Sequence, residues 1–309
     1  MSSIRKTRGY KMELRHLKKS LGSKIFDALN TIFMILLIII MLYPFINQLA
    51  ISFNDSTDAI KGGIYLWPRK VSFESYKFIF SQKSMLKATF ISIARVLVGT
   101  ATSVIGTALL AYVVTIKGFS GRQFMRRLFV ITMYVSGGLI PFYLLMLKLH
   151  LTNTFTIYWL PGIFSAYNML IIAAYMQEIP NALSESARID GAGEITIFWK
   201  IMLPICIPVI AAICVFNGVA HWNDWFTTVV YNPSGKWDTL QVYLRRVLLE
   251  TEALEKIRDQ QLAATQYSSL TPKTVQAAIT MIVTIPIAMI YPFFQKYFIS
   301  GITIGAVKE

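Results

Sequence analysis

The chain has 309 residues, of which 55% are hydrophobic and 15% are charged, and its mean hydropathy is +0.53. This composition excludes an ordinary soluble domain and favours an integral membrane protein. The net charge of +14 would suggest nucleic-acid binding in a soluble protein, but here lysines and arginines flank apolar runs, where they face lipid headgroups. We therefore expect the basic residues to contact the lipid bilayer, and we expect no nucleic-acid partner.

Six apolar runs predict an all-α integral membrane protein, because a helix needs about 20 residues to cross a bilayer. The runs are residues 26–51, 88–116, 128–147, 156–176, 205–226 and 274–295. The basic segment 1–24 in front of the first run predicts a cytoplasmic N-terminus. Because the first run is long and no small-residue cleavage site follows it, we expect it to remain as a span rather than a signal peptide.

The loop 52–87 is predicted to lie on the outer side, between the first two spans. Ser72 is expected to cap a short helix that carries Phe73, Tyr76 and Phe80 on one face. Such a helix either lies on the membrane surface or packs against the spans. A second outer segment, 227–273, is predicted to contain a helix over residues 242–261.

Arg95 is the ionisable residue inside the second run. A charge in a span is costly, so its side chain should face the bundle interior, water or the headgroups. Snorkelling or an internal ion pair is one interpretation, and a role in the substrate pathway is the other. The same run contains many small residues, among them Gly99 and Gly106, which predicts close helix packing.

Glycine and proline predict irregular points in the later spans. These candidates are Gly137, Gly138 and Pro141 in the third run, Pro161 and Gly162 in the fourth, and Pro286 and Pro292 in the sixth. The two cysteines, Cys206 and Cys214, lie together in the fifth run and are interpreted as packing residues. No group of residues with metal-ligand spacing is found.

A polar stretch, residues 178–208, separates the fourth and fifth runs. Residues 180–190 favour a helix, with Pro180 in its first turn and Gly191 at its C-terminal cap. A second short helix is predicted from Glu194, with Phe198, Ile201 and Met202 on one face and Pro204 closing it. Asp190 is a candidate cap for this second helix. The result is a compact helix–turn–helix at a membrane surface.

The outer half of the fifth run is polar and aromatic. It contains Asn217, His221, Trp222, Asn223 and Asp224. These residues, together with Arg95, are candidates for a substrate pathway in which a sugar is held by stacking and hydrogen bonds. The alternative is an interfacial aromatic belt with helix-capping polar residues. The His–Asp pair does not indicate a hydrolase, because neither a third partner nor an oxyanion site is identifiable.

The polar stretch also resembles a known family. Residues 185–192 read ESARIDGA, followed by Phe198, Ile201, Leu203-Pro204 and Pro208. This spacing resembles the EAA loop of binding-protein-dependent ABC importer permeases, with Ser186 in place of the usual first alanine. The C-terminal residues Gln295, Tyr297, Phe298, Gly301, Gly305 and Ala306 resemble the tail of the carbohydrate-type permeases. The basic leader and Leu66-Trp67-Pro68 are similar to the lipo-oligosaccharide and polysaccharide branch.

The resemblance implies six transmembrane helices of the type I ABC importer permease fold, with a cytoplasmic coupling helix. It divides the chain into a basic cytoplasmic segment 1–24, a first helix and outer loop 25–83, a permease core 84–295 and a cytoplasmic tail 296–309. It places the protein in the plasma membrane, multi-pass, with both termini cytoplasmic. The residues that it assigns to ATPase coupling are Glu185, Ser186, Ala187, Asp190, Gly191, Ala192 and Phe198.

The resemblance also implies the partners of the chain. They are a second homologous permease subunit, a dimer of ABC ATPase subunits and an extracellular solute-binding protein. The sequence has no G-x-x-x-x-G-K-[S/T] motif to hold phosphates, so ATP and Mg are expected on the ATPase and no cofactor on this chain. Glu185 would make a charged contact with the ATPase, the alternative being a pair with Arg188 on its own helix.

The function implied is ATP-driven import of a carbohydrate, an oligosaccharide, by alternating access. One alternative is an ABC permease for peptides or amino acids, which the EAA loop alone does not exclude. Another is an ion-coupled secondary transporter, which would place carboxylates or broken inverted repeats in the spans. A membrane enzyme or receptor is a third alternative, for which no catalytic constellation is seen.

Overall fold

The computed structural model describes residues 21–260 and 271–306. Within these ranges the fold is helical, apart from an isolated antiparallel bridge between Asn54 and Val71. The leader up to residue 20 and the side chains of the tail motif lie outside the described part. The helices are α1 (Leu21–Ser52), α2 (Ser56–Ala59), α3 (Glu74–Ser81), α4 (Lys83–Thr115), α5 (Arg122–Tyr134), α6 (Leu139–Lys148), α7 (Ala166–Gln177), α8 (Asn181–Ile189), α9 (Glu194–Ile197), α10 (Ile207–Asn223), α11 (Phe226–Tyr231), α12 (Leu240–Gln260) and α13 (Pro272–Ala306).

Three of the six predicted spans are single helices long and apolar enough to cross a membrane. They are α1, α4 and the Lys273–Ile290 part of α13. The other three are bent pairs: α5 with α6 at 118°, the 3₁₀ segment Phe155–Gly162 with α7 at 46°, and Glu194–Ile205 with α10 at 81°. Each pair counted as one span gives six, so the predicted all-α membrane fold is confirmed, although its third to fifth spans are broken.

Glycine marks the break in the third span, as predicted. Helix α5 ends at Tyr134 and α6 begins at Leu139, and Gly138 between them has a φ of +81°. Pro141 lies in the first turn of α6, where backbone N–H groups have no partner within the helix to lose. Helix α13 continues through both of its prolines, so of the kink or break predicted there the break is excluded. Neighbouring helices in a bundle can satisfy the backbone groups that a proline frees.

The polar stretch folds into α8 and α9, and we call these two helices and their turn the hairpin. The largest apolar core lies where α4, α7 and the hairpin meet. Its buried members are Val104, Ala108, Leu110, Ala111, Tyr112, Val114, Met169, Ile172, Ala173, Met176, Ala187, Ile197, Phe198, Met202, Cys206 and Ile213. The core therefore attaches the hairpin to two spans, and Cys206 packs within it, as predicted.

Two helices, α1 and α5, are largely exposed in the described part of the chain, although Met125 and Phe129 of α5 pack against the largest apolar core. The most hydrophobic window of α1 is 0% buried, and α5 has no buried residue. In a membrane such surfaces face lipid or another protein.

Helix α3, which lies in the loop between the first two spans, is partly exposed. Tyr76 stacks on Phe53 with ring centroids 4.9 Å apart, while Phe73 and Phe80 are exposed. The predicted Ser72 cap is wrong, because the N-cap of α3 is Phe73, without a side-chain bond; Ser72 lies one position earlier, where its Oγ accepts the N–H of Glu74 at 3.3 Å.

Candidate functional site

The turn of the hairpin depends on Gly191. Pro180 precedes α8 as its N-cap. Gly191 follows the helix with a φ of +84°, a backbone conformation that residues other than glycine rarely adopt. The Gly191 N–H donates to the Arg188 carbonyl at 3.0 Å, and the Ala192 N–H donates to the Ala187 carbonyl at 2.9 Å. Gly191 is therefore the C-terminal cap that the sequence predicts.

Asp190 does not cap the second helix, so that prediction is wrong. Helix α9 begins at Glu194, and its N-cap is Gly193 without a side-chain bond. A capping side chain belongs immediately before the first helical residue, whereas Asp190 stands four positions earlier and closes α8 instead. Its side chain is exposed on the hairpin surface.

The hairpin has one buried face and one exposed face. Ala187, Ile197 and Phe198 are buried against α4 and α7, as is Met202 just beyond α9. The hydroxyl of Ser186 donates to the Ala182 carbonyl at 2.9 Å, so this departure from alanine is satisfied within its own helix.

The exposed face of the hairpin carries acidic, small and apolar side chains. Glu185, Ser186 and Asp190 are exposed there. Ile189 is 86% exposed and Ile195 is 75% exposed. Neither isoleucine was predicted from sequence, although Ile189 lies four positions after Glu185, a spacing that puts these two residues on one face of α8. The hairpin thus presents an acidic and apolar patch without a partner in the described chain.

Arg188 pairs with Glu194 across the turn rather than with Glu185. Its Nε donates to Glu194 Oε1 at 2.8 Å and its Nη2 to Glu194 Oε2 at 3.3 Å. The hydroxyl of Tyr112, on α4, donates to the same Oε2 at 2.5 Å. The alternative of a Glu185–Arg188 pair is therefore wrong, and Glu185 is left available for another contact. Sequence spacing missed Glu194 and Tyr112 because their contact is not local.

A basic cavity of about 760 Å³ lies behind the hairpin. Lys117, Arg122 and Arg126 line it from the connection between α4 and α5 and from the start of α5, and Glu185 and Arg188 line it from α8. The short basic loop that the sequence predicts as cytoplasmic therefore lies at the same end of the molecule as the hairpin.

Arg95 is engaged inside the helix bundle. Its side chain is 2% exposed and forms an ion pair with Asp224, which follows α10. Its Nη1 donates to the Asp224 backbone carbonyl at 2.7 Å and to Thr228 Oγ1 at 3.3 Å, and its Cζ lies 4.5 Å from the Tyr158 ring centroid. Of the two interpretations from sequence, these contacts match the internal ion pair.

The polar residues on α10 also contact neighbouring helices. Asn217 bonds to Asn168 on α7 and to Ser103 on α4, at 3.2 and 3.3 Å. The His221 ring fills the space that a side chain at Gly99 would need, since a Cβ there would lie 2.6 Å from its Nε2. These contacts hold α10 against α4, the close packing that small residues in α4 predict.

Trp222 and Asn223 connect the end of α10 to two further helices. The Trp222 indole donates to the Val283 carbonyl of α13 at 3.0 Å. Asn223 accepts from Gln241 of α12 at 3.3 Å. A sugar contact by this group and Arg95 stays a prediction, and the contacts of the described residues favour a packing role. The same ranges contain no group of His, Cys, Asp and Glu that could hold a metal ion.

A family model described as "Binding-protein-dependent transport system inner membrane component" matches residues 103–304. The chain belongs to this family. Its permeases are transport components rather than enzymes, and the ATPase of such a system is a separate subunit. The chain is therefore a multi-pass inner-membrane permease subunit of an ABC importer, and the matched segment includes the hairpin.

The permease has relatives that match nearly its whole length. It is 34% identical to the polygalacturonan/rhamnogalacturonan transport system permease protein YtcP of Bacillus subtilis, over 93% of this chain and 99% of the relative. It is 30% identical to the arabinooligosaccharides transport system permease protein AraQ of Halalkalibacterium halodurans, over 93% and 98%. A solved chain of a bacterial ABC transporter that imports the acidic polysaccharide alginate superposes with a TM-score of 0.82 at 26% identity, over 91% and 99%.

Proposed function

We propose that this permease imports an oligosaccharide into the cytoplasm, receiving it from an extracellular binding protein. The observation that carries the proposal is the hairpin, a rigid turn capped by Gly191 whose exposed face holds Glu185 beside Ile189. A short helix with an exposed acidic and apolar face is suited to docking in a cleft of another protein. The substrate class is supported by relatives that are named for transport of polygalacturonan/rhamnogalacturonan and of arabinooligosaccharides, and by the alginate transporter.

The orientation proposed has the hairpin and both chain termini in the cytoplasm. The cavity wall places Lys117, Arg122 and Arg126 at the hairpin end, and short basic loops are retained on the cytoplasmic side. The loop that contains α2 and α3 then lies outside, where a binding protein can reach it. Acidic residues of the hairpin do not oppose this orientation, because they contribute little to it.

The ATPase partner is a dimer that binds ATP and Mg and grips the hairpin. Glu185, which has no ion pair among the described residues, supplies the charged contact, and Ile189 supplies apolar area. ATPase closure then moves the hairpin, and the helices packed on it rearrange so that the pathway opens to the outside. No residue of this chain is needed for ATP chemistry under the proposal.

A second, homologous permease subunit covers the break in the third span. Ser136, Gly137 and Gly138 are exposed there, and a cavity of about 360 Å³ lies beside them, lined also by Tyr231. Non-helical backbone at membrane depth is tolerated only where protein buries it or where it lines a water-filled cavity. The exposed break and the exposed face of α5 therefore support a second permease subunit on this side, and under the proposal the pathway runs between the two.

The test is uptake by vesicles that contain the whole assembly. Labelled oligogalacturonides and arabino-oligosaccharides are added outside with the binding protein, and ATP is sealed inside. We expect uptake of at least one of them to require both ATP and the binding protein. Uptake driven by an ion gradient without ATP would contradict the proposal, and uptake of peptides in place of sugars would correct its substrate class. Vesicles loaded with ADP are the control.

A further inference from the structure

The hairpin is joined to the fifth span by an irregular stretch of backbone. After α9 the chain forms a π-helical turn, Phe198–Met202, and then a short helical segment, Leu203–Ile205. Cys206 follows, and the direction of the helix changes by 81° before α10 continues. A turn of π-helix, a proline and a sharp bend interrupt the regular hydrogen-bond ladder. The covalent path from hairpin to fifth span is therefore not one straight helix.

The hairpin is joined to the second span by side chains instead. Glu194, the first residue of α9, is held from one side by Arg188 of α8 and from the other by the Tyr112 hydroxyl of α4, at 2.8 and 2.5 Å. The Tyr112 ring lies 5.5 Å from the ring of Phe198. Tyr112 is 4% exposed, so one buried residue of α4 contacts the hairpin through its hydroxyl and the π-helical turn after the hairpin through its ring.

We propose that Tyr112 is a positioning residue that ties the hairpin to the second span and so determines how much transport each ATP drives. The proposal rests on the function proposed above and adds a second route for the movement of the hairpin. Arg188 and Glu194 make the turn rigid by bridging its two helices. Tyr112 transfers the displacement of that rigid turn to α4, which carries Arg95 and packs along α10.

The link between the hairpin and α4 depends on the hydrogen bond from the Tyr112 hydroxyl to the Glu194 carboxylate. A hydrogen bond to an ionised acceptor is shorter and roughly twice as strong as one between neutral groups. The Arg188 fork fixes the carboxylate in two places, so its oxygen stays aimed at Tyr112. Glu194 and Arg188 are 48% and 41% exposed and line the basic cavity together with Tyr112, so water competes for the carboxylate and moderates the strength of the contact.

The variant that tests the tie is Tyr112→Phe. It keeps the ring on Phe198 and the packing of the core, and it removes one hydroxyl. In the complete assembly, reconstituted in vesicles with the binding protein, we expect ATP hydrolysis to continue. The amount of labelled oligogalacturonide or arabino-oligosaccharide taken up per ATP should fall by about threefold to tenfold, the range expected for one hydrogen bond to a partly solvated charge.

The matched control is Tyr175→Phe. Tyr175 on α7 packs against the same apolar core, and no hydrogen bond of its hydroxyl is found among the described residues. Loss of a tyrosine hydroxyl from this core should then leave uptake per ATP unchanged. Glu194→Gln is the second variant: it keeps an oxygen that accepts from Tyr112 but loses the charge, and its uptake per ATP should lie between wild type and Tyr112→Phe.

A distance measurement gives a readout that needs no substrate. Spin labels are placed at two exposed positions, Leu109 on α4 and Thr196 on α9, after Cys206 and Cys214 are replaced by alanine. We expect one narrow distance distribution in wild type, with and without ATP, because the two helices move together. Tyr112→Phe should broaden the distribution when ATP is bound.

The outcomes separate the two proposals. A Tyr112→Phe assembly with wild-type uptake per ATP and an unchanged distance distribution would overturn the role of Tyr112, whatever sugar is carried. Wild-type assemblies that take up no oligosaccharide with ATP would instead overturn the proposed function, while a broadened distribution in Tyr112→Phe would still support the tie.

Discussion

Arg95→Met is expected to destabilise the folded permease by about 3 kcal/mol, at the lower end of the range for breaking a buried ion pair. The reason is that Asp224 keeps its charge and loses its partner, while the Thr228 hydroxyl and a backbone carbonyl lose a donor. Asp224 is 29% exposed, and this partial access to water moderates the loss. The thermal unfolding midpoint of the purified assembly measures the effect.

The double variant Arg95→Met with Asp224→Asn provides the control for charge. Removing both charges is expected to restore part of the stability, because an unpaired buried charge costs more than two neutral groups. A stable Arg95→Met assembly that fails only in sugar uptake would contradict the structural role. It would favour a role for Arg95 in the substrate pathway.

Gly191→Pro is expected to abolish the docking of the ATPase and, with it, sugar uptake. Proline holds φ near −65° and lacks the N–H that Gly191 donates to Arg188, whereas the turn requires a φ of +84°. The two helices of the hairpin then cannot keep their relative direction. Retention of the ATPase on an affinity-tagged permease measures docking, and vesicle uptake measures transport.

A matched pair of smaller changes separates the backbone effect from the added bulk. Gly191→Ala and Gly193→Ala add the same methyl group, and neither site has an atom within 4 Å of the new Cβ. Only Gly191 requires a positive φ, for which alanine costs about 1–2 kcal/mol, so it alone should lose ATPase affinity, by roughly 5-fold to 30-fold. Equal losses at both glycines would show that conformation is not the reason.

Local features of this permease were readable from its sequence. The Gly191 cap, the small residues of α4 and the break at Gly137-Gly138 each follow from one residue type and its backbone preferences. The same local rules failed for Asp190, which lies four positions before the start of α9, and they did not exclude a break at Pro286 and Pro292, where the helix is continuous. The order of the spans is as predicted, whereas α13 continues to Ala306, well beyond the predicted end of the sixth span at residue 295.

Contacts between distant parts of the chain were not readable in the same way. Arg95 and Asp224 are 129 positions apart, and Tyr112 and Glu194 are 82 apart. The need for an internal partner for Arg95 follows from the cost of a charge in a span, but which residue meets it depends on how α4 packs on α10. The sequence did not indicate a distant partner for Glu194, because acidic residues are common at helix N-termini, where they interact favourably with the helix dipole.

The central claim is that the hairpin faces the cytoplasm and is gripped by the ATPase, and site-specific photo-cross-linking tests it most directly. A photoreactive residue replaces Ile189 on the hairpin or, as a control of similar exposure, Trp67 in the outer loop; the two side chains are 86% and 82% exposed. In vesicles that are taking up sugar, the probe at position 189 is expected to label the ATP-hydrolysing subunit, and the probe at position 67 is not. Labelling of that subunit from position 67, or of an extracellular protein from position 189, would contradict the account.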